Sequence, residues 1–337
     1  MKSIKRILVP TDFSEGSETA YPVAHKLALK FGAEIDMIHV VPSIKSFIKF
    51  LASDMDTEYT DKLVSDAKER IERAMNNFDE ESKGEYFIKM DRKPWNSLLE
   101  HIKIRDYDLV VMGATGGHET KMKRGGVTQQ TIRNSPVPVL AVDSEMMRRG
   151  VNKILVPTDG SELSFTALRS AAIMAEAFGS EITLFYVSEM STGLSDTAHF
   201  VPNKIKKDDV YQELIKKIEN HIVRNSDRDF TLKRGDKLFE DLLLIRSGEK
   251  MKPLVLKTVI TTGFSASYEI ENYADENSDL VVMATHGYSG FAHVFLGSVT
   301  EKVLQHVNKP VMTVRPGEAE FMKSDRNTGK LSVDPLP

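Results

Sequence analysis

Along the first half of the chain, short continuous apolar runs alternate with stripes of apolar residues at helical spacing. The runs predict five strands, at residues 4–9, 35–41, 86–90, 109–112 and 137–142. The stripes predict four helices, at residues 17–31, 63–78, 95–104 and 127–133. Strands that alternate with helices predict a parallel sheet covered on both faces, and right-handed crossovers make it doubly wound.

The same pattern occurs twice in the chain. The hexapeptide Ile-Leu-Val-Pro-Thr-Asp at 7–12 returns at 154–159, 147 residues later. The pentapeptide Asp-Leu-Val-Val-Met at 108–112 returns at 279–283, 171 residues later, so the second copy carries 24 more residues (171 minus 147) in between. Repetition of a whole α/β unit predicts two tandem domains.

We therefore divide the chain into a first domain at 1–146, a second domain at 147–316 and a mobile tail at 317–337. The extra residues of the second copy fall in an insertion at about 187–257. Within this insertion, an apolar stripe predicts one helix around 211–222, and residues 238–245 suggest another short helix.

Composition narrows the class of protein. The 337 residues are 41% hydrophobic and 28% charged, as in an ordinary globular protein, and the net charge of -4 argues against nucleic acid as the main partner. The absence of cysteine excludes disulfides, thiolate catalysis and cysteine-based metal sites. No apolar run approaches the roughly 18 to 20 residues of a membrane helix, and no signal peptide is recognisable, so the cytoplasm is the expected location.

In a doubly wound sheet, ligands bind beyond the carboxyl ends of the strands, where the strand order reverses. Asp12 and Asp159 directly follow the first strand of each copy. A carboxylate there can accept hydrogen bonds from a ribose hydroxyl or an adenine amine. The alternative interpretation is that these aspartates cap the following helix. The second strands end near Val40 and Val187, where backbone groups could read an adenine edge.

The loop after the fourth strand suits a phosphate group. In the second copy, Met-Ala-Thr-His-Gly at 283–287 is followed by nine residues and then by Gly-Ser-Val-Thr at 297–300. Small residues let backbone N–H groups approach an anion, and the helix dipole favours negative charge. The hydroxyls of Ser298 and Thr300 could donate to phosphate oxygens. The alternative is a loop whose glycines only form turns.

Together, the strand ending in Pro-Thr-Asp, the Gly/small-x-x-Gly-(nine)-Gly-Ser loop and the Pro-Val before the last strand resemble the universal stress protein family. The resemblance implies two Rossmann-like (HUP-type) domains, each a five-stranded doubly wound parallel sheet, which pair through their last strands into an intramolecular pseudo-dimer. Some members bind ATP at this loop, and others lack the motif. The implied site in the second domain consists of Pro157, Asp159, Val187, Ala284, Gly287, Gly297, Ser298, Val299 and Thr300.

The two copies of this site differ. The corresponding residues of the first domain are Pro10, Asp12, Val40, Gly113, Gly116, Gly125, Gly126 and Thr128. Counting glycines from Gly113 would place Val127 at the serine position, whereas counting back from the helix places Gly126 there. We favour the second alignment, because a one-residue shift would rotate the buried face of the helix by about 100°. Either alignment removes the hydroxyl, so we expect the second domain to bind nucleotide better.

Other candidate residues support weaker interpretations. Lys121, Lys123 and Arg124 in the first loop could contact phosphate, but such a run more often forms a solvated loop. His286 and His293 share the second loop, yet nothing completes a metal site around them, so none is assigned. No phosphate loop of the Gly-x4-Gly-Lys type and no hydrolase elbow occurs, so no catalytic residue is assigned.

The expected function is that of an ATP-binding stress protein that acts as a sensor, with ATP as the ligand and Mg²⁺ as its possible companion. One alternative is an interaction module with degenerate sites, in which the insertion contacts a partner or an apolar ligand. Another is a slow ATPase. The expected partner is an adenine nucleotide, neither nucleic acid nor a membrane; a homodimer and an unidentified protein partner are further candidates.

Overall fold

The computed structural model describes residues 4–42, 55–114, 125–143, 146, 149–190, 206–223, 230–285 and 296–315. In the first domain the strands are β1 (Arg6–Pro10), β2 (Glu34–Pro42), β3 (Lys83–Asp91), β4 (Leu109–Gly113) and β5 (Val139–Val142). The helices are α1 (Glu15–Glu18), α2 (Ala20–Phe31), α3 (Met55–Met75), α4 (Pro94–Ile104) and α5 (Gly126–Asn134), and Glu80–Ser82 form a 3₁₀ turn.

In the second domain the strands are β6 (Lys153–Thr158), β7 (Glu181–Glu189), β8 (Phe230–Lys233), β9 (Glu240–Ser247), β10 (Lys250–Gly263), β11 (Leu280–Ala284) and β12 (Val311–Val314). The helices are α6 (Glu162–Phe178), α7 (Lys207–Ile218), α8 (Ala266–Asn277) and α9 (Ser298–His306). Residues Glu219–Val223 continue α7 as a π-helical turn. Both α2 and α6 end at a glycine with positive φ, at Gly32 (64°) and Gly179 (78°), as glycine readily allows.

All of these strands form one twelve-stranded sheet, in the order β3-β2-β1-β4-β5-β12-β11-β6-β7-β10-β9-β8. Five strands of each domain are parallel to one another, and β5 pairs antiparallel with β12. The expected doubly wound sheets, joined through their last strands, are confirmed. β4 and β11 are buried along their whole length because helices cover both faces.

The second domain carries two further strands that the sequence analysis did not anticipate. β9 pairs antiparallel with both β8 and the first half of β10. The short helix suggested at 238–245 is therefore wrong. Asp241, Leu243 and Ile245 are buried while their neighbours are half-buried, which is the period of a strand, and pairing on both sides overrides the helical preference of the leucines.

The helices form two layers. Apolar side chains of α2, α3, α6 and α7 share one core on one face of the sheet, and those of α4, α5, α8 and α9 share the core on the other face. The domains also meet through charged groups beside the β5–β12 seam. Lys30 Nζ lies 3.1 Å from the buried carboxylate of Glu176, Arg133 pairs with Glu301, and Arg315 donates to the Arg133 carbonyl at 2.6 Å.

Candidate functional site

The strand order reverses twice in the sheet, once in each domain. In the first domain the reversal lies between β1 and β4, and in the second it lies between β6 and β11. The chain leaves each of these strands in opposite directions, so a crevice opens at their carboxyl ends. Pro10 and Pro157 lie at these strand ends in β1 and β6, and Gly113 and Ala284 end β4 and β11.

A buried threonine anchors the loop after the first strand of each domain. The Thr11 hydroxyl is hydrogen-bonded to Ser17 (3.1 Å) and to Tyr21 (2.6 Å), and it accepts from the Phe13 N–H at 2.9 Å. Burial raises the pKa of Tyr21 to about 12, so this contact stays a neutral hydrogen bond. In the second domain, the Thr158 hydroxyl bonds Ser164 at 2.7 Å and accepts from the Gly160 N–H at 3.0 Å.

The two aspartates do not cap the helices, so that alternative is wrong. Ser14 and Ser161 are the N-caps, accepting from the amides of Ser17 and Ser164 at 3.2 Å each. Asp12 Oδ1 instead accepts the N–H of Ser14 at 3.0 Å, and Asp159 Oδ1 accepts that of Ser161 at 2.9 Å. These two-residue turns hold each exposed aspartate at the mouth of its crevice.

The end of the fourth strand is tighter in the first domain. A Cβ placed on Gly113 would lie 2.1 Å from the Gly16 carbonyl oxygen and 2.9 Å from Ser17 Cα. No side chain fits there, because both obstacles are backbone atoms. The equivalent Ala284 carries a methyl group and is buried in β11. The first-domain crevice is thus closed against its helix α1 more tightly than the second.

The helix that follows the crevice begins at the same register in both domains. Gly125 and Gly297 are the N-cap residues of α5 and α9, and their N–H groups bond the carbonyls of Ala114 and Thr285 at 2.8 Å. This geometry supports the alignment counted back from the helix, in which Gly126 stands where the second domain has Ser298. The hydroxyl is therefore absent from the first helix terminus, as the sequence indicated.

Thr128 and Thr300 hold the helices against the strands. Thr128 Oγ1 donates to the Gly113 carbonyl at 3.0 Å, and Thr300 Oγ1 donates to the Ala284 carbonyl at 2.9 Å. The idea that the Thr300 hydroxyl donates to a phosphate is a misassignment, because its one proton is used inside the fold and the side chain is buried. Ser298, in contrast, is exposed at the first turn of α9, with Val299 half-buried beside it.

The second strands bring different groups to the same edge. Val40 and Val187 are half-buried and pack towards the α4 and α8 layer. Next to Val40, His39 Nδ1 lies 2.8 Å from the Thr11 carbonyl oxygen, and burial lowers the pKa of His39, which favours the neutral ring. The ring of Phe13 lies 4.5 Å from that of His39, and the guanidinium of Arg70 lies 4.5 Å from the centre of the Phe13 ring.

One feature of the loop after the first strand was missed in the sequence analysis: a residue with positive φ whose carbonyl accepts a hydrogen bond from a cationic side chain. Phe13 has a φ of 60° and Gly160 a φ of 77°. Arg70 donates to the Phe13 carbonyl at 3.2 Å, and Lys217 donates to the Gly160 carbonyl at 3.0 Å. Gly160 and Lys217 lie 147 residues after Phe13 and Arg70, which is the length of the repeat. This offset was the signal available in the sequence. The cations fix the loop that presents Asp12 and Asp159.

Several candidate residues lie outside the described part of the chain. These are Gly116, Gly287, Lys121, Lys123, Arg124, His286 and His293. Within the described ranges no group of three His, Asp or Glu side chains could hold a metal ion. A search of the same ranges finds no helix long and apolar enough to cross a membrane.

Both halves of the chain are similar to proteins of one family. The sequence model of the universal stress protein family matches residues 3–143 and again residues 150–315. The chain belongs to the universal stress protein family. This membership was indicated by the Pro-Thr-Asp strand ends and the Gly-Ser helix start, and it is confirmed for both halves of the chain.

Individual members of the family show how the match is distributed. A universal stress protein of Methanocaldococcus jannaschii is 28% identical over 52% of this chain and 91% of its own length. One from Synechocystis sp. is 23% identical over 93% of this chain and 100% of its own. The crystal structure of a universal stress protein from Archaeoglobus fulgidus covers 93% of this chain and 98% of its own, with a TM-score of 0.63 at 20% identity. The last two therefore share the tandem extent of the chain, and the structure shares its fold.

Proposed function

We propose that this universal stress protein binds an adenine nucleotide, with ATP as the first candidate, at the carboxyl edge of its second domain, and that it acts as a regulatory binding protein. The observation that carries the proposal is Ser298, an exposed hydroxyl at the first residue of α9, beside the point where the strand order reverses. A hydroxyl at a helix N-terminus can donate to an anion that the helix dipole already attracts.

The phosphate end of the ligand would lie against this terminus. The first amides of a helix have no partner within the helix, and they can bond phosphate oxygens directly. Gly297 occupies the N-cap position of α9, and within the described residues no side-chain cap bonds its first amides. The Thr300 hydroxyl fixes the helix to β11, so the amides keep their direction.

The nucleoside end would lie across β6 and β7. The exposed Asp159 is held at the end of β6 by its turn with Ser161, and its carboxylate is suited to accept from ribose hydroxyls. Lys217, which also pairs with Glu213 at 2.8 Å, holds the neighbouring Gly160 carbonyl. Val187, at the end of β7, would offer backbone groups to the base, as the family resemblance implies.

The first domain offers the same frame with fewer donors. Gly126 replaces the serine, and the close contact between Gly113 and Gly16 leaves no space at the strand end. We therefore propose that the first domain binds nucleotide more weakly. The activity that we propose is binding and not turnover.

Calorimetric titration of nucleotide-stripped full-length protein with ATP and Mg²⁺ tests the proposal. We expect about one strong site per chain, and Ser298→Ala should weaken it roughly tenfold or more, because a hydrogen bond to a charged group contributes about 1.5–3 kcal/mol. The matched variant Gly126→Ser restores the hydroxyl in the first domain and should strengthen a second site there. No binding at millimolar ATP, or a strong site that only first-domain substitutions weaken, would refute the proposal.

A further inference from the structure

The two edges of the sheet differ in length and protection. β10 is paired on both sides, with β7 and β9, whereas its first-domain counterpart β3 pairs only with β2 among the described residues. The opposite edge strand, β8, is only four residues long. Among the described residues the outer side of the nine-residue strand β3 has no strand partner, and an edge of this length can template pairing with another strand.

The side chains of β3 place an apolar centre between charged residues. Tyr86, Phe87 and Ile88 are half-buried at its centre, and Met90 is 37% exposed. Natural edge strands that avoid association place charges or proline among such residues, or stay short. In β3 the charges flank the apolar centre instead, which leaves an apolar middle available to a partner.

The charges of β3 are arranged symmetrically with opposite signs. The strand reads Lys-Gly-Glu-Tyr-Phe-Ile-Lys-Met-Asp from Lys83 to Asp91. If two copies run antiparallel with Phe87 at the twofold axis, Glu85 of each lies opposite Lys89 of the other, and Lys83 lies opposite Asp91. Opposite charges at such positions stabilise a strand pair, and like charges destabilise it.

The charges also select the register. Sliding one copy so that Glu85 faces Asp91 joins two acidic groups, and sliding it the other way joins Lys83 to Lys89. Of these three registers, only the one centred on Phe87 opposes unlike charges throughout. A bulge between Lys83 and Tyr86 interrupts the regular strand at that end, so the Glu85–Lys89 pairs are the decisive ones.

The faces of the strand are consistent with this pairing. Glu85 reaches towards α4, where Arg105 bonds it at 2.9 Å, and the guanidinium of Arg105 lies 4.5 Å above the ring of Phe87. Tyr86 points to the opposite layer, where its hydroxyl donates to Glu72 at 2.7 Å. Lys89, two residues beyond Phe87, shares the α4 face with Glu85, as opposing residues of an antiparallel pair must.

We propose that two copies of this chain associate through β3, antiparallel about Phe87, so that their two twelve-stranded sheets become continuous. The occupant of the edge is thus a second copy of the same chain, and its recognition rests on the Glu85–Lys89 pairs and the apolar centre between them. This association is independent of nucleotide binding, because β3 lies at the far edge of the first domain from the second-domain crevice.

Sedimentation velocity of the full chain tests the proposal with two charge reversals. Lys89→Glu places glutamates opposite each other, and Glu85→Lys places lysines opposite each other. Each variant alone should dimerise about tenfold or more weakly than the wild type, since two cross-strand pairs turn from attractive to repulsive. An equimolar mixture of the two variants should dimerise again, because each chain then supplies the charge that the other needs.

The matched control is Lys233→Glu on the short edge strand β8, which should leave dimerisation unchanged. A wild type that stays monomeric at high micromolar concentration overturns the proposal. So does a dimer that either reversal leaves intact, or a mixture of the two folded variants that fails to associate. Circular dichroism of each variant establishes that it is folded, and dimerisation of the mixture shows this directly.

Discussion

The two domains repeat one fold but stabilise it differently. The first domain buries a charged network beneath its edge strand, where Asp36 accepts from Tyr107 at 2.9 Å and from Arg105 at 3.3 Å. The repeat places Thr183, a neutral side chain, at the corresponding position of β7. At the crevices, β4 of the first domain ends at Gly113, whereas β11 of the second domain ends at Ala284. The two copies therefore share their backbone geometry, but they satisfy their buried polar groups with different side chains.

Of the changes that separate the two domains, removal of the buried Asp36 carboxylate should reduce the stability of the protein most. Asp36 is fully buried, and its loss removes the acceptor that Arg105, Tyr107 and the Glu85 amide share. We expect Asp36→Ala to reduce the free energy of unfolding by about 3–5 kcal/mol, the usual cost of breaking a buried pair. Thr183→Ala in the second domain should cost about 1 kcal/mol. Urea unfolding measures both, and equal losses would mean that the network contributes no special stability.

Acid should destabilise the protein through His101, which belongs to the same network. Burial, helped by Lys89 and Arg105, lowers the pKa of His101 from 6.5 to about 4. Between these values the unfolded chain binds a proton that the folded chain does not, so the stability is complete above pH 6.5 and is lost as the pH falls towards 4. The shift corresponds to about 3 kcal/mol.

Urea unfolding at a series of pH values measures this loss. His101→Gln keeps a polar group near the Tyr107 hydroxyl, 3.0 Å from Nε2 in the native protein, but cannot titrate. Its stability should therefore fall much less between pH 6.5 and 4.5 than that of the wild type. Parallel pH profiles for the two proteins would show that other groups cause the acid sensitivity.

Exchanging the small residues at the crevices gives the smallest of the stability effects. Gly113→Ala forces a methyl group against the Gly16 carbonyl, and such overpacking costs about 1–3 kcal/mol. The reciprocal Ala284→Gly removes a methyl and adds chain entropy to the unfolded state, at about 0.5–1 kcal/mol. Thermal unfolding of the two variants compares them. If Gly113→Ala proved the milder change, the tight approach of α1 to β4 would be in doubt.

Local patterns in the sequence were sufficient for most of the fold. The runs that became β1, β4 and β6 are continuous and apolar because both faces of a parallel sheet are buried, and the repeat counted in residues fixed which strands correspond. The same logic failed at 238–245, where leucines that favour a helix form β9, because pairing with β8 and β10 decides a strand.

The candidate site was predictable in its residue types but not in their roles. Counting back from the helix placed Gly126 opposite Ser298, and the matching caps at Gly125 and Gly297 agree with this. The capping serines, the inward use of the Thr300 hydroxyl and the cation beneath Gly160 depend on distances between segments far apart in the chain, so no local pattern could assign them.

By itself, the sequence determined that two α/β domains repeat, that each ends its first strand in Pro-Thr-Asp, and that only the second copy keeps a serine at its last helix. These features are local, because periodicity, turn residues and helix starts act over a few neighbouring positions. Only the tertiary structure decided that Asp36 lies buried among Tyr107 and Arg105, and that β3 is left at an edge. These outcomes depend on which surfaces come into contact in the folded chain. The free energies of burial and of strand pairing therefore cannot be assigned from local sequence.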